Sequence, residues 1–231
     1  MKILDSEPNL TLTPAQIDAF TQYAELLHTW NQKFNLTAIR TQEEIWSRHF
    51  LDSLTCLRVM LGTPLAKVID VGTGAGFPGL ALKIAYPEMH LTLVEAVGKK
   101  AAFCAEVTRA LGLENVEILT ARAEELGQKP VHREQYDWAV ARAVAPLPIL
   151  AEYLLPLVKT GGRMLAQKGK ESALEIEQAE NAINTLGGTL TQVVPVVLPS
   201  AEAHTLIVIT KTRPTPDRYP RRVGVPAKRP L

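Results

Sequence analysis

The sequence predicts an α/β fold built on a doubly wound, mostly parallel sheet, with a small helical segment before it. From Lys67 onwards, short apolar runs alternate with helical stretches, a pattern typical of βαβ units and therefore of parallel strands. The last two apolar runs, at 189–198 and 205–210, lie too close together for a crossover helix. They predict an antiparallel hairpin at one edge of the sheet.

The first 64 residues are predicted to be helical. Thr13, Pro14 and Gln16 form an N-cap, a first-turn proline and a capping-box glutamine. The apolar stripe that follows has helical spacing: Ile17, Phe20, Ala24, Leu27 and Trp30. Trp30 continues this stripe and is interpreted as a core residue. A second box starts at Thr41. We divide the chain into a helical segment (1–64), a central domain (65–212) and a basic, proline-rich tail (213–231).

The central domain contains five predicted strands before the hairpin. They fall at 68–71, 91–95, 116–119, 136–140 and 163–166, with helices at 78–86, 99–111, 147–157 and 172–186. Five parallel strands and a terminal hairpin form the outline of the class I S-adenosylmethionine-dependent methyltransferase fold, which has a Rossmann-like doubly wound sheet. Ligands of such sheets bind at the carboxyl ends of the strands, where the strand order reverses.

Composition excludes several classes of protein. The chain has 231 residues, 46% of them hydrophobic, which is ordinary for a globular protein. Two cysteines, Cys56 and Cys104, form no C-x-x-C pair, and the histidines lack ligand spacing, so we expect neither a disulfide nor a bound metal. The N-terminus is too short and polar for a signal peptide, and no apolar run is long enough for a membrane span. We expect a cytoplasmic protein.

The formal net charge of +1 conceals an asymmetry between body and tail. From Lys211 onwards there are seven basic residues against one acidic residue, a charge of +6, whereas the remainder has 18 basic against 23 acidic residues, a charge of −5. A basic tail on an acidic body indicates a polyanionic partner or, alternatively, a solvated, frayed terminus. With five prolines after Thr212, the tail is predicted to be an extended arm.

The glycine-rich stretch after the first strand fits two cofactors. Gly72, Gly74 and Gly76, preceded by Asp70, suit a methyltransferase, but residues 74–79 also match the dinucleotide fingerprint G-x-G-x-x-G. A dinucleotide would place its pyrophosphate near the Asp70 carboxylate, whereas S-adenosylmethionine carries a sulfonium and an ammonium, both cationic. Asp70 and the terminal hairpin favour S-adenosylmethionine. Glu95, at the end of the second strand, can accept ribose hydroxyls in either case. A tight turn without a ligand is the third reading.

The residues after the fourth and fifth strands point to a cationic substrate site. Arg142 and Lys168 follow these strands and suit a phosphate or a guanine edge; Arg142 could instead be an ion-pair partner of Asp137 or Glu124. The box Asn/Asp-Pro-Pro-aromatic is missing, and neither cysteine follows a late strand as a pyrimidine nucleophile would. A ring nitrogen with a free lone pair, such as guanine N7, needs no general base, so the lack of an obvious base is compatible with methylation there.

Short motifs occur along nearly the whole chain, at 30–31 with 35–37, 48–53, 70–79, 99–103, 114–117, 122–125, 141–147, 168–169 and 219–228. They resemble those of the glucose-inhibited division protein B family, the 16S ribosomal RNA guanine-N7 methyltransferases. Together and in order they are highly specific. The chain departs from the family pattern at Ala141, where relatives often have serine, and at 96–98, where a serine contact is lost.

The resemblance implies transfer of a methyl group to N7 of guanine 527 in the 530 loop of 16S RNA. The partner would be 16S RNA, the small ribosomal subunit or an assembly intermediate, and the protein is expected to be a monomer. The expected cofactor residues, from the loop and from the resemblance, are Asp70, Gly72, Gly74, Gly76, Phe77, Glu95, Ala96, Val97, Ala123, Glu124 and Arg142. The RNA-binding candidates in the tail are Arg221, Arg222, Lys228 and Arg229.

Three points stay open at this level. His49 and Asp52 lie one helical step apart and are expected to bond each other, with a role in shaping the RNA pocket as the alternative. An NAD-linked oxidoreductase that uses the 74–79 fingerprint is the second hypothesis for function. The third is a ribosome-assembly or RNA-binding protein whose cofactor fold has lost catalysis, although Asp70, the loop glycines and Arg142 argue against it.

Overall fold

A seven-stranded sheet in the order β3-β2-β1-β4-β5-β7-β6 forms the centre of the computed structural model, which describes residues 11–169, 172–198 and 201–231. The strands are β1 (Lys67–Val71), β2 (His90–Val94), β3 (Val116–Leu119), β4 (Tyr136–Arg142), β5 (Val158–Lys168), β6 (Gly188–Val196) and β7 (His204–Lys211). β1 to β5 are parallel, and β7 runs antiparallel to both β5 and β6. The predicted fold class and terminal hairpin are confirmed.

The helices flank the sheet in the predicted sequence order. They are α1 (Pro14–Phe34), α2 (Gln42–Glu44), a π-helical segment (Ile45–Leu51), α3 (Asp52–Leu54), α4 (Leu57–Met60), α5 (Gly79–Ala85), α6 (Gly98–Ala110), α7 (Ala123–Leu126), α8 (Leu147–Leu154), α9 (Ser172–Thr185) and α10 (Val225–Lys228). The predicted capping box starts α1, because the Thr13 hydroxyl accepts from the Gln16 amide and the Gln16 side chain accepts from Thr13.

Two hydrophobic clusters cover the two faces of the sheet. Successive strand residues point to opposite faces, so Val68 belongs to one cluster and Ile69 to the other. The first cluster contains the buried stripe of α1, with Phe20 and Leu27 fully enclosed. Trp30 packs at its edge, as predicted for a core residue. The N-terminal helices and the sheet therefore share one core and do not form separate units.

The prediction that residues 213–231 form an extended arm is wrong. The segment lies against the second cluster, with the Tyr219 ring buried and a helix, α10, near its end. Prolines lack amide donors, so the packing of such a segment depends on partners for its carbonyl groups. Arg133 supplies them, donating to the carbonyls of Thr215 and Tyr219 at 2.7 and 2.6 Å.

No helix in the described ranges is both long and apolar enough to cross a bilayer. The expectation about a signal peptide concerns residues 1–10, which lie outside the described residues. Within the part of the chain that the structure describes, no group of three His, Cys, Asp or Glu side chains could hold a metal ion, and both cysteines are buried free thiols.

Candidate functional site

The glycine-rich loop lies between β1 and α5, and the carboxylate of Asp70, in β1, holds it in place. Asp70 is fully buried, and its Oδ2 accepts from the Thr73 hydroxyl at 2.6 Å and from the Gly79 amide at 2.8 Å. Thr73 and Gly79 lie near the two ends of the loop, so one oxygen fixes the loop's path. Glu95 ties it to the end of β2, because its carboxylate accepts from the amides of Gly74 and Val97 at 2.9 and 2.8 Å.

The Asp70 carboxylate has unusual electrostatics. Burial raises its pKa to about 6, against the lowering effect of its hydrogen bonds from Thr73 and Gly79. Its second oxygen, Oδ1, is buried and accepts no hydrogen bond from the described residues. A buried carboxylate oxygen without a donor is stabilised by nearby positive charge. The loop therefore fits a cationic ligand such as S-adenosylmethionine, as the sequence predicts.

A cavity of about 470 Å³ opens beside this loop at the carboxyl edge of the sheet. One wall is formed by the loop itself, with Gly72, Gly74 and Phe77. The facing wall comes from distant parts of the chain and includes Thr37, His49, Asp52, Arg142 and His204. The structure thus brings together Gly72, Gly74, Phe77 and Arg142 of the predicted set. Glu95, Ala96, Val97, Ala123 and Glu124 follow β2 and β3 further along the same edge and do not line this cavity.

Arg142 organises the facing wall from the last position of β4. Its guanidinium donates to Asp52 Oδ2 at 2.6 Å and approaches His49 Nδ1 at 3.2 Å. It also lies 5.1 Å from the centre of the Phe77 ring, within range of a cation–π contact. A side chain that contacts both walls can fix the width of the cavity.

The predicted alternative partners of Arg142 are wrong. Asp137 lies five residues earlier, toward the opposite end of β4, and forms an ion pair with Lys159. Glu124 accepts a hydrogen bond from the Gly224 amide at 3.1 Å. Strand direction explains the first error, because Asp137 and Arg142 project at opposite ends of one strand.

The predicted bond between His49 and Asp52 is also wrong, because Arg142 lies between them and binds both. His49 Nε2 lies 2.9 Å from the Thr37 hydroxyl, and its ring stacks on Phe77 with centroids 4.4 Å apart. Burial, followed by Arg142 and Arg48, lowers its pKa to about 3. The imidazole is therefore neutral. Since Nδ1 accepts from Arg142, Nε2 carries the proton and donates to Thr37.

The π-helical segment that carries His49 was not predicted from the sequence. Residues Ile45–Leu51 make i→i+5 hydrogen bonds within an otherwise α-helical stretch that runs from Gln42 to Leu54. Such wide turns are rare and are frequently found at functional sites. Their widening changes the angular position of the following side chains, which an α-helical period cannot anticipate. No sequence signal marks this segment.

Two further polar residues near Asp52 were missed, His204 in the cavity wall and Gln167, which is buried and does not line the cavity. His204, at the start of β7, places its Nδ1 3.1 Å from Asp52 Oδ1, and its Nε2 lies 3.2 Å from the Thr55 hydroxyl. Gln167, on β5, donates from its side-chain amide to the Asp52 carbonyl at 3.0 Å. Asp52 is separated from Gln167 by 115 residues, and the pairing of β5 with β7 brings Gln167 near His204, so no local sequence signal marks these residues.

Lys168 has structural contacts that account for its charge. Its ammonium donates to the Ala145 carbonyl at 2.9 Å and lies 2.7 Å from the Glu175 carboxylate, which also accepts from the Leu147 amide. The side chain is only 11% exposed and does not line the cavity. Its charge is compensated, so Lys168 holds the loop before α8 against α9.

Comparison with known proteins identifies the family. The sequence profile of rRNA small subunit methyltransferase G matches residues 16–204. The chain belongs to this family. It is 53% identical over 222 residues to the ribosomal RNA small subunit methyltransferase G of Roseiflexus castenholzii, covering 96% of this chain and 94% of that protein. The enzyme of the same name from Alkaliphilus metalliredigens is 47% identical over 217 residues, covering 94% and 91%.

Solved structures support the fold. A complex of MtNAS with MTA and tNA has a TM-score of 0.58 at 14% identity, covering 86% of this chain and 70% of that one. TrmN from Thermus thermophilus has a TM-score of 0.54 at 20% identity, covering 70% and 48%. The sheet is that of class I methyltransferases. The family membership confirms a methyltransferase that uses S-adenosylmethionine and acts on ribosomal RNA of the small subunit, and it excludes the dinucleotide interpretation of the glycine loop.

Proposed function

We propose that the protein transfers the methyl group of S-adenosylmethionine to N7 of a guanine in 16S RNA, which by resemblance is guanine 527 of the 530 loop. The observation that carries this proposal is the state of the cavity wall. It offers groups that bind and orient a base, whereas the two proton acceptors nearest Arg142, His49 and Asp52, are both bound to its guanidinium. A nitrogen with an available lone pair is the acceptor that such a site suits.

The polar side chains of the cavity wall are held by hydrogen bonds and ion pairs to one another. His49 accepts from Arg142 on one ring nitrogen and donates to Thr37 from the other. Asp52 accepts from Arg142 on Oδ2, and its Oδ1 lies against His204. Glu202 is largely exposed and lies 3.8 Å from Arg48. His49 and Asp52 are therefore not held ready as a general base, and attack by guanine N7 requires none.

The charges of Arg142, Asp52 and His49 suit a reaction that creates a cationic base. The cofactor supplies an electrophilic methyl group on a sulfonium, and its transfer moves one positive charge onto the purine. Asp52 neutralises Arg142, and His49 remains uncharged because its pKa is lowered to about 3. This trio therefore adds no net positive charge where the charged product forms. The rate then depends on in-line placement and exclusion of water.

We assign the cofactor to the carboxyl edge above β1, β2 and β3. The loop residues Asp70, Gly72, Gly74, Gly76 and Phe77 would hold its methionine part. Each Glu95 oxygen already accepts one backbone amide and retains a lone pair for a ribose hydroxyl. Ala96 and Val97 would flank the ribose, and Ala123 with Glu124 would meet the adenine. Arg142 would position the base beside the methyl group, and Lys168 would support that wall from behind.

The basic C-terminal segment supplies candidates for RNA contact outside the cavity. Arg222, Lys228 and Arg229 are exposed and would bind phosphates. Arg221 is withdrawn from this group, because its guanidinium is paired with Glu152. The partner would be 16S RNA within the small subunit or an assembly intermediate, met in the cytoplasm by a monomer.

The decisive experiment maps methylation of 16S RNA in a strain that lacks the protein. N7-methylguanine sensitises the RNA chain to reduction and aniline cleavage, so its position is read directly. We expect one guanine of the 530 loop to lose its signal and to regain it when the wild-type chain is supplied. The Arg142→Lys variant should restore it poorly. If the cleavage pattern does not change when the protein is removed, the assigned target is wrong.

A further inference from the structure

The C-terminal segment, defined here as residues 213–231, reaches the edge of the sheet to which the cofactor is assigned. The backbone amide of Gly224 donates to Glu124 Oε1 at 3.1 Å. Glu124 lies in the first turn of α7, just beyond the end of β3, and is 5% exposed. A residue 100 positions later in the chain therefore fixes the carboxylate of Glu124. This contact joins the segment to a wall of the cofactor site.

A buried ion pair fixes the segment immediately before Gly224. Glu152, on α8, has a side chain that is 1% exposed, and Arg221 binds it through Nε and a terminal nitrogen, with the closest contact at 2.5 Å. The Arg221 amide donates to the same carboxylate at 2.8 Å. Backbone and side chain of one residue thus converge on one buried anion. Such a bidentate pair fixes direction as well as distance.

Additional contacts hold the chain on either side of Arg221. The Gln128 side chain donates to the Pro220 carbonyl at 2.7 Å, and Gln128 lies two residues after the end of α7. Arg133 donates to the Tyr219 carbonyl, and the Tyr219 ring is buried. Pro226, in α10, is also buried. The segment is therefore attached to α8 and to the chain that follows α7, the helix that carries Glu124.

We propose that the C-terminal segment is part of the cofactor site and that Arg221 is a positioning residue for it. Arg221 binds Glu152 and so holds the Gly224 amide against Glu124, which fixes the carboxylate at the wall that meets adenosine. This inference rests on the proposed placement of Glu124 at the adenine. The segment's exposed cations remain available for RNA, so one segment would serve cofactor and RNA through different residues.

The test separates cofactor affinity from RNA affinity in the full-length protein. Arg221→Ala leaves Glu152 buried without a partner and risks unfolding, so the main variant is the double substitution Arg221→Gln with Glu152→Gln, which leaves no buried charge. Arg222→Ala is the matched control, since Arg222 is the exposed neighbour. Calorimetry gives the Kd for S-adenosylhomocysteine, and methylation of purified small subunits gives KM for each substrate and kcat. Circular dichroism verifies that each variant is folded.

For the double variant we expect Kd for S-adenosylhomocysteine and KM for S-adenosylmethionine to rise about tenfold. KM for the small subunit and kcat at saturating cofactor should stay within about twofold. Arg222→Ala should show the reverse, with a higher KM for the subunit and unchanged cofactor affinity. The single variant Glu152→Gln, which retains Arg221, should recover part of the affinity for S-adenosylhomocysteine. The side-chain amide oxygen at position 152 can still accept from the Arg221 guanidinium.

Two results would overturn the inference. Unchanged cofactor affinity in a folded double variant, with trypsin cleaving after Arg222 faster than in the wild type, would mean that the released segment has no part in the site. A higher KM for the subunit alone would mean that Arg221 serves RNA binding. Failure of the wild-type protein to bind S-adenosylhomocysteine at all would instead contradict the proposed function, so the two failures are distinguishable.

Discussion

The guanidinium of Arg142 makes directed contacts with Asp52 and His49 and faces the Phe77 ring, and a lysine ammonium cannot reproduce this planar arrangement. We expect Arg142→Lys to lower the rate of methylation about 100-fold, a loss typical of a misplaced reactant, with the free energy of unfolding little changed. Single-turnover assays on purified small subunits measure the rate, and denaturant unfolding measures the stability.

Arg48→Lys is the control for that substitution. Arg48 lines the same cavity, but the ion pairs that its guanidinium makes with described residues, to Glu44 and Glu202, are long and partly exposed, at 3.5 and 3.8 Å. Exposed pairs contribute little to positioning, so the rate should fall by less than about tenfold. Equal losses in the two lysine variants would mean that positive charge alone, and not the geometry at Arg142, governs the reaction.

The Asp70 carboxyl predicts how stability depends on pH. Its pKa is raised from 3.8 to about 6 by burial, so between these values the folded protein binds more protons than the unfolded chain. Stability from this group is therefore lost as pH rises from about 4 to about 6, and a shift of about two units corresponds to roughly 3 kcal/mol. We expect Tm of the apo protein to reflect this loss on top of the other titrations.

Asp70→Asn isolates that contribution, because the amide oxygen can still accept from Thr73 and Gly79 but does not titrate. The difference in Tm between wild type and Asp70→Asn should be most favourable to the wild type near pH 4 and shift towards the variant near pH 7. A difference that is constant across this range would show that the folded carboxyl titrates at its ordinary pH.

The glycine-rich loop between β1 and α5 contains a position, Gly76, where a side chain would collide with neighbouring residues. Gly76 has a φ of +93°, and an added Cβ would lie 2.4 Å from the Tyr23 hydroxyl and 2.5 Å from Leu80. Gly62 has a similar φ, +79°, but open space around it. Both alanine variants carry the strain of the left-handed region, about 1–2 kcal/mol, and only Gly76→Ala also displaces the aromatic packing.

We therefore expect Gly76→Ala to cost about 1–3 kcal/mol more than Gly62→Ala, the usual effect of overpacking. It should also weaken binding of S-adenosylhomocysteine, because the Tyr23 hydroxyl donates to the Ala75 carbonyl within the loop. Denaturant unfolding and calorimetry measure the two effects. The same loss in the free energy of unfolding for both variants would mean that Tyr23 and Leu80 move aside without cost. The loop would then be less constrained than its contacts indicate.

Elements with a local signal could be predicted from the sequence, and elements fixed by distant contacts could not. Alternation of apolar runs and helices predicted β1 to β5 and the hairpin, and the capping residues located the start of α1. The π-helical segment lacks a local signal because its hydrogen bonds shift by one residue without changing the apolar pattern. The partner of Arg142 also has no local signal and was not predicted, because Asp52 lies 90 residues earlier in the chain.

The C-terminal segment shows the same limit for the whole molecule. Its prolines and positive charge predicted an extended arm, because composition alone does not reveal that Glu152 is buried and needs a cation. Its basic residues differ in their surroundings. Arg221 forms an ion pair with the buried Glu152, whereas Arg222, Lys228 and Arg229 are exposed. These exposed cations can respond to the ionic strength of the solution, whereas the paired Arg221 cannot.

The exposed cations of the C-terminal segment predict how RNA binding depends on salt concentration. Binding of a protein to RNA weakens with salt in proportion to the phosphates it neutralises, with a slope of about 0.7 per contact for single strands. If Arg222, Lys228 and Arg229 each bind a phosphate, replacing all three with alanine should make the slope of log K against log salt shallower by about 2. Fluorescence anisotropy with a labelled 530-loop RNA, between about 50 and 200 mM salt, measures it.

Arg109→Ala is the control for nonspecific loss of charge, because Arg109 is exposed at the far end of α6, where it pairs with Glu106. It should leave the slope unchanged, and the triple variant should keep its affinity for S-adenosylhomocysteine, since Arg221 and Glu152 are intact. A triple variant with the wild-type slope would place the RNA on another face. The most basic part of the chain would then serve only to complete the fold around Glu152.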